Sequence, residues 1–295
     1  MHVSVATNYG ADMSSFELFL DGIDFGEGPR WHDDRLWYSD FFQHKVFTVD
    51  ASGNRTTMVE FPGDARPSGL GWMPDGSLLI VSMLDRRVMK WAGGELTEHA
   101  DLSHIAGFHC NDMVVDAKGN AYVGNFGWDI VNDFANTTPA DLALVRPDGS
   151  TEVAASGLVF PNGSVITPDA STLIVGESFG GQYRAFDIAN DATLSNERVW
   201  ASVPGMAPDG CDLDAEGAIW FADATGQQVV RVLEGGEITH TVPTGDSCYA
   251  CVLGGDDGRT LFALCAPGAD PHEVENKGLG TIKTMRVEVP SAVHR

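Results

Sequence analysis

The fold of this chain is indicated by residues 208–223, P-D-G-C-D-L-D-A-E-G-A-I-W-F-A-D. A polar residue, Asp209, stands just before a short apolar run, and a turn containing Gly217 follows. A second apolar run then ends at the acidic residue Asp223. Short apolar runs on either side of a glycine-containing turn are typical of antiparallel β-strands. This stretch therefore predicts two paired strands with a polar residue where the first begins.

Five other stretches of the chain repeat this pattern. The residues at the six matching positions, which we call the opening residues, are Glu27, Ser68, Asn111, Asn162, Asp209 and Cys248. They follow one another at intervals of 39 to 51 residues, which is the length of a four-stranded propeller blade with its links. Helical periodicity is weak throughout the chain. The sequence therefore predicts an all-β, six-bladed β-propeller in a single domain.

Two segments outside the repeat complete this prediction. Residues 16–20 form a strand without a turn partner before the first repeat, and such a strand commonly pairs with the last blade to close the ring. The longest interval contains residues 128–139, which we interpret as a loop inserted on the face that bears the opening residues. We expect residues 1–15 to be a flexible N-terminus and residues 16–295 to form the propeller domain.

The charge of the chain limits its partners. Its 295 residues include 18 Lys and Arg against 42 Asp and Glu, which gives a formal net charge of −24. Such a surface repels phosphate backbones and anionic lipid, so nucleic acid and membranes are poor candidate partners, whereas a divalent cation is a good one. No apolar run is long enough to span a bilayer and no secretory signal is evident, so we expect a cytoplasmic protein.

The five cysteines do not indicate a disulfide framework, because their number is odd and the chain is long. Cys248 and Cys251 form a C-x-x-C pair, but the second pair that a zinc ribbon would need is missing. The pair also lies in a strand-like run rather than at the beginning of a helix. We therefore interpret the cysteines as buried strand thiols.

The opening residues are expected to meet at one mouth of the central channel, because the innermost strand of each blade lines that channel. Two carboxylates, Glu27 and Asp209, and two amides, Asn111 and Asn162, would then face one space. Ca²⁺ and Mg²⁺ prefer such oxygen ligands, and Mn²⁺ or Zn²⁺ can also bind them. The two carboxylates would balance the charge of a divalent ion.

The alternative is that Asp and Asn before Gly are simple turn formers. We interpret Asp75, Asp148 and Asp169 in this way. Turn formation explains one isolated P-D-G sequence well. It explains less well four oxygen-bearing residues at matched positions of a repeat.

Four motifs together resemble a known family. Glu27-Gly28-Pro29-x-Trp31, Asn111-Asp112, Pro161-Asn162-Gly163 and Pro208-Asp209-Gly210 occur in the order and spacing of the gluconolactonase, regucalcin (senescence marker protein) and luciferin-regenerating-enzyme family. The resemblance extends from about residue 16 to residue 288. It implies a six-bladed propeller with one divalent metal ion in its channel, with Ca²⁺ as the first candidate and Mg²⁺, Mn²⁺ or Zn²⁺ as alternatives.

The resemblance also assigns roles to individual residues. It implies that Glu27, Asn162 and Asp209 are the metal ligands and that Asn111 orients the substrate, a position that in the family sometimes also touches the metal. The implied reaction is the hydrolysis of a lactone, in which the metal would polarise the carbonyl oxygen and stabilise the oxyanion. A water must also be activated, and Asp209 is our candidate general base, held close to the ion and kept ionised by it.

One position departs from the family pattern. Family members that act on sugar lactones commonly have Arg two residues before the asparagine of the N-D pair, and this chain has His109 there. With Trp128 and the neighbouring Phe108, Phe126 and Phe134, this predicts a more apolar mouth in which His109 and Trp128 contact the substrate. His109 could also act as a second acid or base. The alternative is that the aromatic residues only pack the inserted loop.

Three functions fit these observations. The first is a metal-dependent lactonase or related esterase. The second is the same metal propeller used for organophosphate hydrolysis or for a non-hydrolytic reaction on a metal-bound carbonyl substrate. The third is a non-enzymatic propeller that binds metal or docks a protein, because the fold alone does not decide the function. The acidic pair favours a metal site, and His109 adds some weight to the second function. For the first two functions the partner is a small-molecule substrate.

Overall fold

Twenty-four β-strands are arranged as six four-stranded antiparallel sheets in a computed structural model of the chain, which describes residues 15–293. One terminal strand of each sheet contacts those of the two neighbouring sheets, and these strands form a ring of β2 (Gly26–His32), β6 (Pro67–Trp72), β10 (Cys110–Val115), β14 (Pro161–Ile166), β18 (Pro208–Leu213) and β22 (Ser247–Gly254). These six strands are therefore the innermost strands, and the six sheets are the blades of a propeller. The predicted all-β, six-bladed propeller is confirmed.

The strands follow one another from the channel outwards in each blade. Blades one and two contain β2 (Gly26–His32), β3 (Arg35–Asp40), β4 (Lys45–Val49), β5 (Arg55–Glu60), β6 (Pro67–Trp72), β7 (Leu78–Ser82), β8 (Arg87–Ala92) and β9 (Glu95–Asp101). Blades three and four contain β10 (Cys110–Val115), β11 (Ala121–Asn125), β12 (Ala140–Val145), β13 (Thr151–Leu158), β14 (Pro161–Ile166), β15 (Thr172–Glu177), β16 (Gln182–Ile188) and β17 (Leu194–Ser202). Blade five contains β18 (Pro208–Leu213), β19 (Ile219–Asp223), β20 (Gln228–Val232) and β21 (Ile238–Pro243). Blade six contains β22 (Ser247–Gly254), β23 (Thr260–Ala266), β24 (Gly280–Arg286) and β1 (Glu17–Ile23).

The N-terminal strand closes the ring, as the sequence predicts. Strand β1 is the outermost strand of blade six and runs antiparallel to β24, with Glu17 opposite Thr284 and Ile23 opposite Gly280. The first and last parts of the propeller are thereby joined in one sheet, which covers the edge of β24. The expectation of a flexible N-terminus falls almost wholly on residues outside the described range, and the proposed domain boundaries stay predictions.

The hydrophobic core lies between the faces of neighbouring blades. Leu79 and Val81 of blade two, for example, pack with Met113 and Val123 of blade three. Because a blade's second strand is covered on both faces, it is apolar without alternation, and every residue of β7 is buried. The outermost strands are largely exposed. This difference explains why the second strand of each repeat is the clearest apolar run in the sequence.

Each innermost strand has an irregular register where it begins. In blade five, Pro208 pairs with Asp223 while the next pair is Cys211 with Phe221, so the residues between leave the ladder. The other five blades have register shifts at the same place. Bulges of this kind redirect side chains next to functional sites. In blades two to five the opening residue itself leaves the ladder, whereas Glu27 and Cys248 stay paired and the shift follows them.

Glycines after the opening residues let neighbouring innermost strands approach closely. A Cβ atom on Gly163 would lie 2.2 Å from the backbone oxygen of Asp209, and one on Gly28 would lie 2.8 Å from that of Ser68. Gly28 also has a φ of 53°, which disfavours other residues. The glycine in the E-G-P and P-N-G motifs is therefore required by packing around the channel.

The links between strands agree with the sequence in most respects. Asp75, Asp148 and Asp169 form the predicted turns, and each accepts a hydrogen bond from the backbone N–H of the serine two positions later. A four-residue helix, α1 (Pro271–Val274), follows β23 and was not predicted. No helix of the described residues has the length and apolar character needed to cross a membrane. All five cysteines are buried and unpaired, as expected of strand thiols.

Candidate active site

The six opening residues occupy one structural position. Each is the second residue of the innermost strand of its blade, and all six are buried. Since the six strands form one ring and begin at the same end of it, five opening residues surround one mouth of the channel, whereas Cys248 belongs to the hydrophobic core of blades five and six with Trp220 and Leu261. The structure thus brings together Glu27 and Asp209 with Asn111 and Asn162, from blades one, five, three and four.

The two amides are held by a chain of hydrogen bonds that crosses four blades. Ser68 Oγ donates to Asn111 Oδ1 over 3.1 Å, and Asn111 Nδ2 donates to Asn162 Oδ1 over 2.9 Å. Asn162 Nδ2 donates to Ser178 Oγ over 3.0 Å, and Ser178 Oγ donates to the backbone oxygen of Pro208 over 2.6 Å. These contacts fix both carboxamide planes before any ligand binds.

The two acids lack comparable partners. Glu27 Oε2 accepts a hydrogen bond from the Gly28 N–H over 3.0 Å, but Asp209 Oδ1 is buried and has no hydrogen-bond partner. Burial raises the pKa of Glu27 well above its ordinary value, and the charges of Asp209 and Asp112 raise this pKa further. Burial and Asp112 likewise raise the pKa of Asp209, while hydrogen bonds from Asn162 and Gly210 partly offset this rise. Both carboxylates are thus destabilised by burial among other acids.

A third acid near the pair has a partner of its own. Asp112 Oδ1 lies 2.8 Å from Arg30 Nη2, and the same nitrogen also donates to the backbone oxygen of Met113. Arg30 belongs to blade one and Asp112 to blade three, so the ion pair spans blade two. There Gly69 leaves room, since a Cβ atom on it would lie 2.8 Å from Asp112 Oδ1. Arg30 also partly offsets the rise in the pKa of Glu27, but neither Glu27 nor Asp209 forms an ion pair with a Lys or Arg side chain of the described residues.

A divalent cation fits this arrangement. Two buried carboxylates supply two negative charges, Asp209 Oδ1 is available, and Asn162 Oδ1, which accepts from Asn111, has a second lone pair that a cation could use. Within residues 15–293, no group of three or more His, Cys, Asp or Glu side chains could hold a metal ion. A cation at this mouth would therefore depend on amide oxygens as well as carboxylates, which are ligands of Ca²⁺ and Mg²⁺.

The aromatic residues near the mouth have two kinds of environment. Trp128 is buried and packs edge-to-face on Phe160 and Phe179, with ring centroids 6.1 and 5.4 Å away. Its Nε1 is buried without a hydrogen-bond partner. His109 is half-buried and stacks on Phe108 at 3.9 Å. Trp128 thus packs the inserted loop, whereas His109 remains partly accessible.

A separate cavity of about 100 Å³ lies along the innermost strands beyond the opening residues. Its lining includes Arg30, Trp31, Trp72 and Asp212, and none of the opening residues. These residues follow the opening residues along their strands, so the cavity belongs to the opposite end of the channel. It does not form part of the site described above.

A family model matches most of the chain. Residues 25–266 match the model of the SMP-30/gluconolactonase/LRE-like region, and the match contains all six opening residues. The chain belongs to the SMP-30/gluconolactonase/LRE-like family. The resemblance inferred from the four motifs is thereby confirmed.

Individual family members are distant in sequence. Regucalcin from Gallus gallus is 25% identical over 265 residues, which cover 86% of this chain and 88% of that protein. A 6-deoxy-6-sulfogluconolactonase from Pseudomonas putida is 22% identical over 275 residues, with coverage of 90% and 92%.

Solved structures show the same fold. A luciferin-regenerating enzyme superposes with a TM-score of 0.79 at 20% identity, covering 94% of this chain and 97% of that one. A calcium-binding protein, regucalcin, from Agrobacterium tumefaciens has a TM-score of 0.78 at 21% identity, with 95% of each chain covered.

Sequence reasoning missed two contributors to the site. Ser178 orients Asn162, and its signal is its position just after the acidic end of a second strand, at Glu177. Arg30 neutralises Asp112, and it lies within the E-G-P-R-W motif that identifies blade one. The motif places Arg30 on the channel, but it does not show which blade the side chain reaches.

Proposed function

We propose that this member of the family is a divalent-metal-dependent hydrolase that opens a lactone or related ester ring at the channel mouth. The observation that carries this proposal is the buried pair Glu27 and Asp209, with Asp209 Oδ1 unpartnered. Two buried carboxylates without an ion pair of their own are costly unless they bind a cation or exchange protons. In a metal-dependent hydrolase such carboxylates bind the metal ion, and one of them exchanges a proton with the attacking water.

Three residues would hold the ion. Glu27 and Asp209 supply charge, and Asn162 supplies an amide oxygen, from blades one, five and four. A bound divalent ion would supply Lewis acidity toward the carbonyl oxygen of the substrate. Ca²⁺ is the first candidate because all the ligands are oxygens, and a structural neighbour is described as a calcium-binding protein.

Asp209 is proposed as the general base. Its Oδ1 is buried and carries no hydrogen bond that would have to be broken before it accepts a proton. A water placed between Oδ1 and the lactone carbonyl carbon would lose its proton to Asp209 as it attacks. When the ring C–O bond breaks, the same carboxyl returns the proton to the leaving alkoxide. Atoms and charge are thereby balanced over one turnover.

Asn111 and His109 are proposed to face the substrate. Asn111 is held by Ser68 and Asn162, so its remaining N–H can donate to a substrate oxygen in a fixed direction. His109 stacks on Phe108, and burial and the charge of Arg66 lower the pKa of its imidazole. A neutral, stacked imidazole suits an apolar part of the substrate better than it suits a hydroxyl-rich sugar. Trp128 supports this wall through its packing.

The names of the relatives support lactones as the substrate class, since the Pseudomonas putida protein is named for a sulfogluconolactone. The aromatic surroundings of His109 point to lactones with fewer hydroxyl groups than gluconolactone. The substrate is in either case a small molecule.

The test is a lactone panel assayed with chelated protein and with the same protein reloaded with Ca²⁺, Mg²⁺, Mn²⁺ or Zn²⁺. We expect turnover only after reloading, together with a higher melting temperature. An ion at about 100 times its dissociation constant adds about 2.7 kcal/mol to the free energy of unfolding.

Two results would change the proposal. Turnover that is unaffected by chelation would remove the metal from the mechanism. Ion binding without turnover of any lactone would favour another reaction on a carbonyl or phosphate ester, or a binding role.

A further inference from the structure

A second ring of residues lies just outside the opening residues. Its members stand two positions before each opening residue, and we call them the outer ring: Phe25, Arg66, His109, Phe160, Ala207 and Asp246. Because these residues directly precede the innermost strands, they lie at the same end of the ring as the opening residues. Its composition therefore bears on which substrate can reach the site.

Most of the outer ring is apolar or neutralised. Phe25 packs 4.5 Å from Tyr249, and Phe160 stacks on Phe126 at 4.4 Å. Asp246 forms an ion pair of 2.8 Å with Lys283. The ring positions at blades one, four and six thus offer no free charge to a ligand.

Arg66 differs from the other members. Its guanidinium carbon lies 4.6 Å from the centre of the Phe42 ring, and Phe42 itself is buried. Its Nε is buried and has no hydrogen-bond partner. A buried donor without an acceptor costs free energy, and a cation stacked on an aromatic face is partly dehydrated. Burial lowers the pKa of Arg66, and the charges of Glu275 and Asp64 partly offset this. Neither acid forms an ion pair with Arg66, so its donors are available for an acceptor supplied by a ligand.

The position of Arg66 relates it to the departure at His109. Both residues stand two positions before an opening residue, in neighbouring blades two and three. The charge of Arg66 also lowers the pKa of His109, so the two side chains share one region of the approach. Family members that act on sugar lactones commonly have an arginine at the position of His109. In this chain Arg66 places a guanidinium one blade away from that position.

We propose that Arg66 binds a carboxylate of the substrate, so that the preferred substrate is a lactone carrying an acidic substituent. This inference rests on the proposed lactone hydrolysis. The acids of the mouth and the net charge of −24 repel anions, so an anionic substrate needs a local cation beside the site. Guanidinium groups bind carboxylates through paired, charge-assisted hydrogen bonds. Phe25 and Phe160 would then face the apolar part of the ring.

The experiment compares two lactones that differ in charge. The probes are γ-butyrolactone-γ-carboxylate and its neutral carboxamide, assayed with metal-loaded protein. The variants are Arg66→Gln and Arg66→Lys, and the matched control is Arg198→Gln on the outer strand β17, where the arginine pairs with Asp187.

We expect Arg66→Gln to lower kcat/KM for the carboxylate by about 10- to 100-fold, mainly through KM. This is the loss in affinity expected when a hydrogen bond to a charged group is removed. The carboxamide should change by less than about 3-fold. Arg66→Lys should recover part of the loss, and Arg198→Gln should leave both substrates unchanged. Equal losses for both probes would assign Arg66 to packing on Phe42 and overturn the proposal.

A binding measurement separates this proposal from the proposed activity. The ring-opened dicarboxylate of the first probe is titrated into wild-type and Arg66→Gln protein by calorimetry, after melting curves have shown that the variant is folded. If no lactone is hydrolysed but the dicarboxylate binds and the variant loses this binding, Arg66 is an anion site and the lactonase proposal fails. If neutral lactones are hydrolysed and the dicarboxylate binds both proteins equally or not at all, the Arg66 proposal fails alone.

Discussion

Asn111 Nδ2 donates to Asn162 Oδ1 over 2.9 Å and so joins the innermost strands of blades three and four inside the site. Each of these carboxamides has a second partner, Ser68 Oγ for Asn111 and Ser178 Oγ for Asn162. Their orientation is therefore set by neighbouring blades. A site assembled in this way links substrate orientation to the integrity of the ring.

Replacing Asn111 with Leu tests this link. The change keeps most of the side-chain volume but leaves Ser68 Oγ and Asn162 Oδ1 without their partner in a buried place. We expect the free energy of unfolding to fall by about 2–4 kcal/mol, since each unsatisfied buried group costs about 1–3 kcal/mol. Guanidinium unfolding of chelated protein measures the change. A loss below about 0.5 kcal/mol would show that the hydrogen-bond chain contributes little.

Glu27→Gln tests the metal ligand in blade one. The substitution preserves size and removes one of two charges that would face the ion. We expect ion affinity to fall by about 10-fold or more, because ligand charge tunes such affinities over decades. Calorimetric titration measures it, with Glu237→Gln as the control, since Glu237 is exposed and far along blade five. Unchanged affinity in Glu27→Gln would remove this residue from the ion's ligands.

Asp209→Asn tests the general base. It retains an oxygen that can face the ion but removes the ability to accept a proton at Oδ1. We expect turnover to fall by about 10²- to 10⁴-fold. Metal content must be measured on the same sample, so that loss of the ion is not mistaken for loss of the base. Full metal content with normal turnover would move proton transfer to another residue, and His109 would be tested next.

The periodicity of the sequence was sufficient to predict the fold. A blade's second strand is covered on both faces, so it stands out as a continuous apolar run, and six such runs define the propeller. The closing strand was predictable because residues 16–20 had no local partner. Helix α1 was missed because four residues, Pro271–Val274, are too short to show periodicity.

The site was less accessible to sequence reasoning. The matched positions brought Glu27 and Asp209 to one mouth, but the pairing of Arg30 with Asp112 depends on the space left by Gly69 in the blade between them. Trp128 was placed on the correct loop, yet the sequence did not show that its indole packs against Phe160. Contacts of this kind depend on how neighbouring blades are oriented, which a local pattern does not contain.

The buried carboxyl of Asp40 is expected to make the free energy of unfolding depend on pH. Its carboxylate accepts hydrogen bonds from the N–H groups of Asp24, Phe25, Phe42 and Gln43. Burial nevertheless raises its pKa from 3.8 to about 6. Because the folded state holds this proton more tightly than the unfolded state, the contribution of Asp40 to stability is fully present below the unfolded pKa and is lost as pH rises through about 6. The loss is on the order of 3 kcal/mol.

The measurement is urea unfolding of chelated protein between about pH 4 and pH 6.5, for wild type and Asp40→Asn. The variant has no carboxyl to titrate, so the difference in unfolding free energy between the two proteins should change across this range. A difference that is constant with pH would mean that the four N–H donors keep the pKa of Asp40 near its ordinary value.

His109→Arg tests the departure from the sugar-lactone pattern. An arginine at this position would present several donors to substrate hydroxyl groups, but it would also stand in the region that Arg66 already influences. We expect wild-type protein to act weakly or not at all on gluconolactone and better on less hydroxylated lactones. The variant should shift this preference toward the sugar lactone, and its ion affinity should fall because a fixed positive charge opposes the cation.

The measurement is the ratio of kcat/KM for gluconolactone to that for a plain aliphatic lactone, in wild type and His109→Arg, each saturated with metal. His104→Arg serves as the control for added charge, because His104 is exposed outside the outer ring. If wild type already prefers gluconolactone by a wide margin, stacking of His109 on Phe108 does not make the approach selective. If the ratio is the same in both proteins, residue 109 does not face the substrate, and the choice of lactone must be made elsewhere in the outer ring.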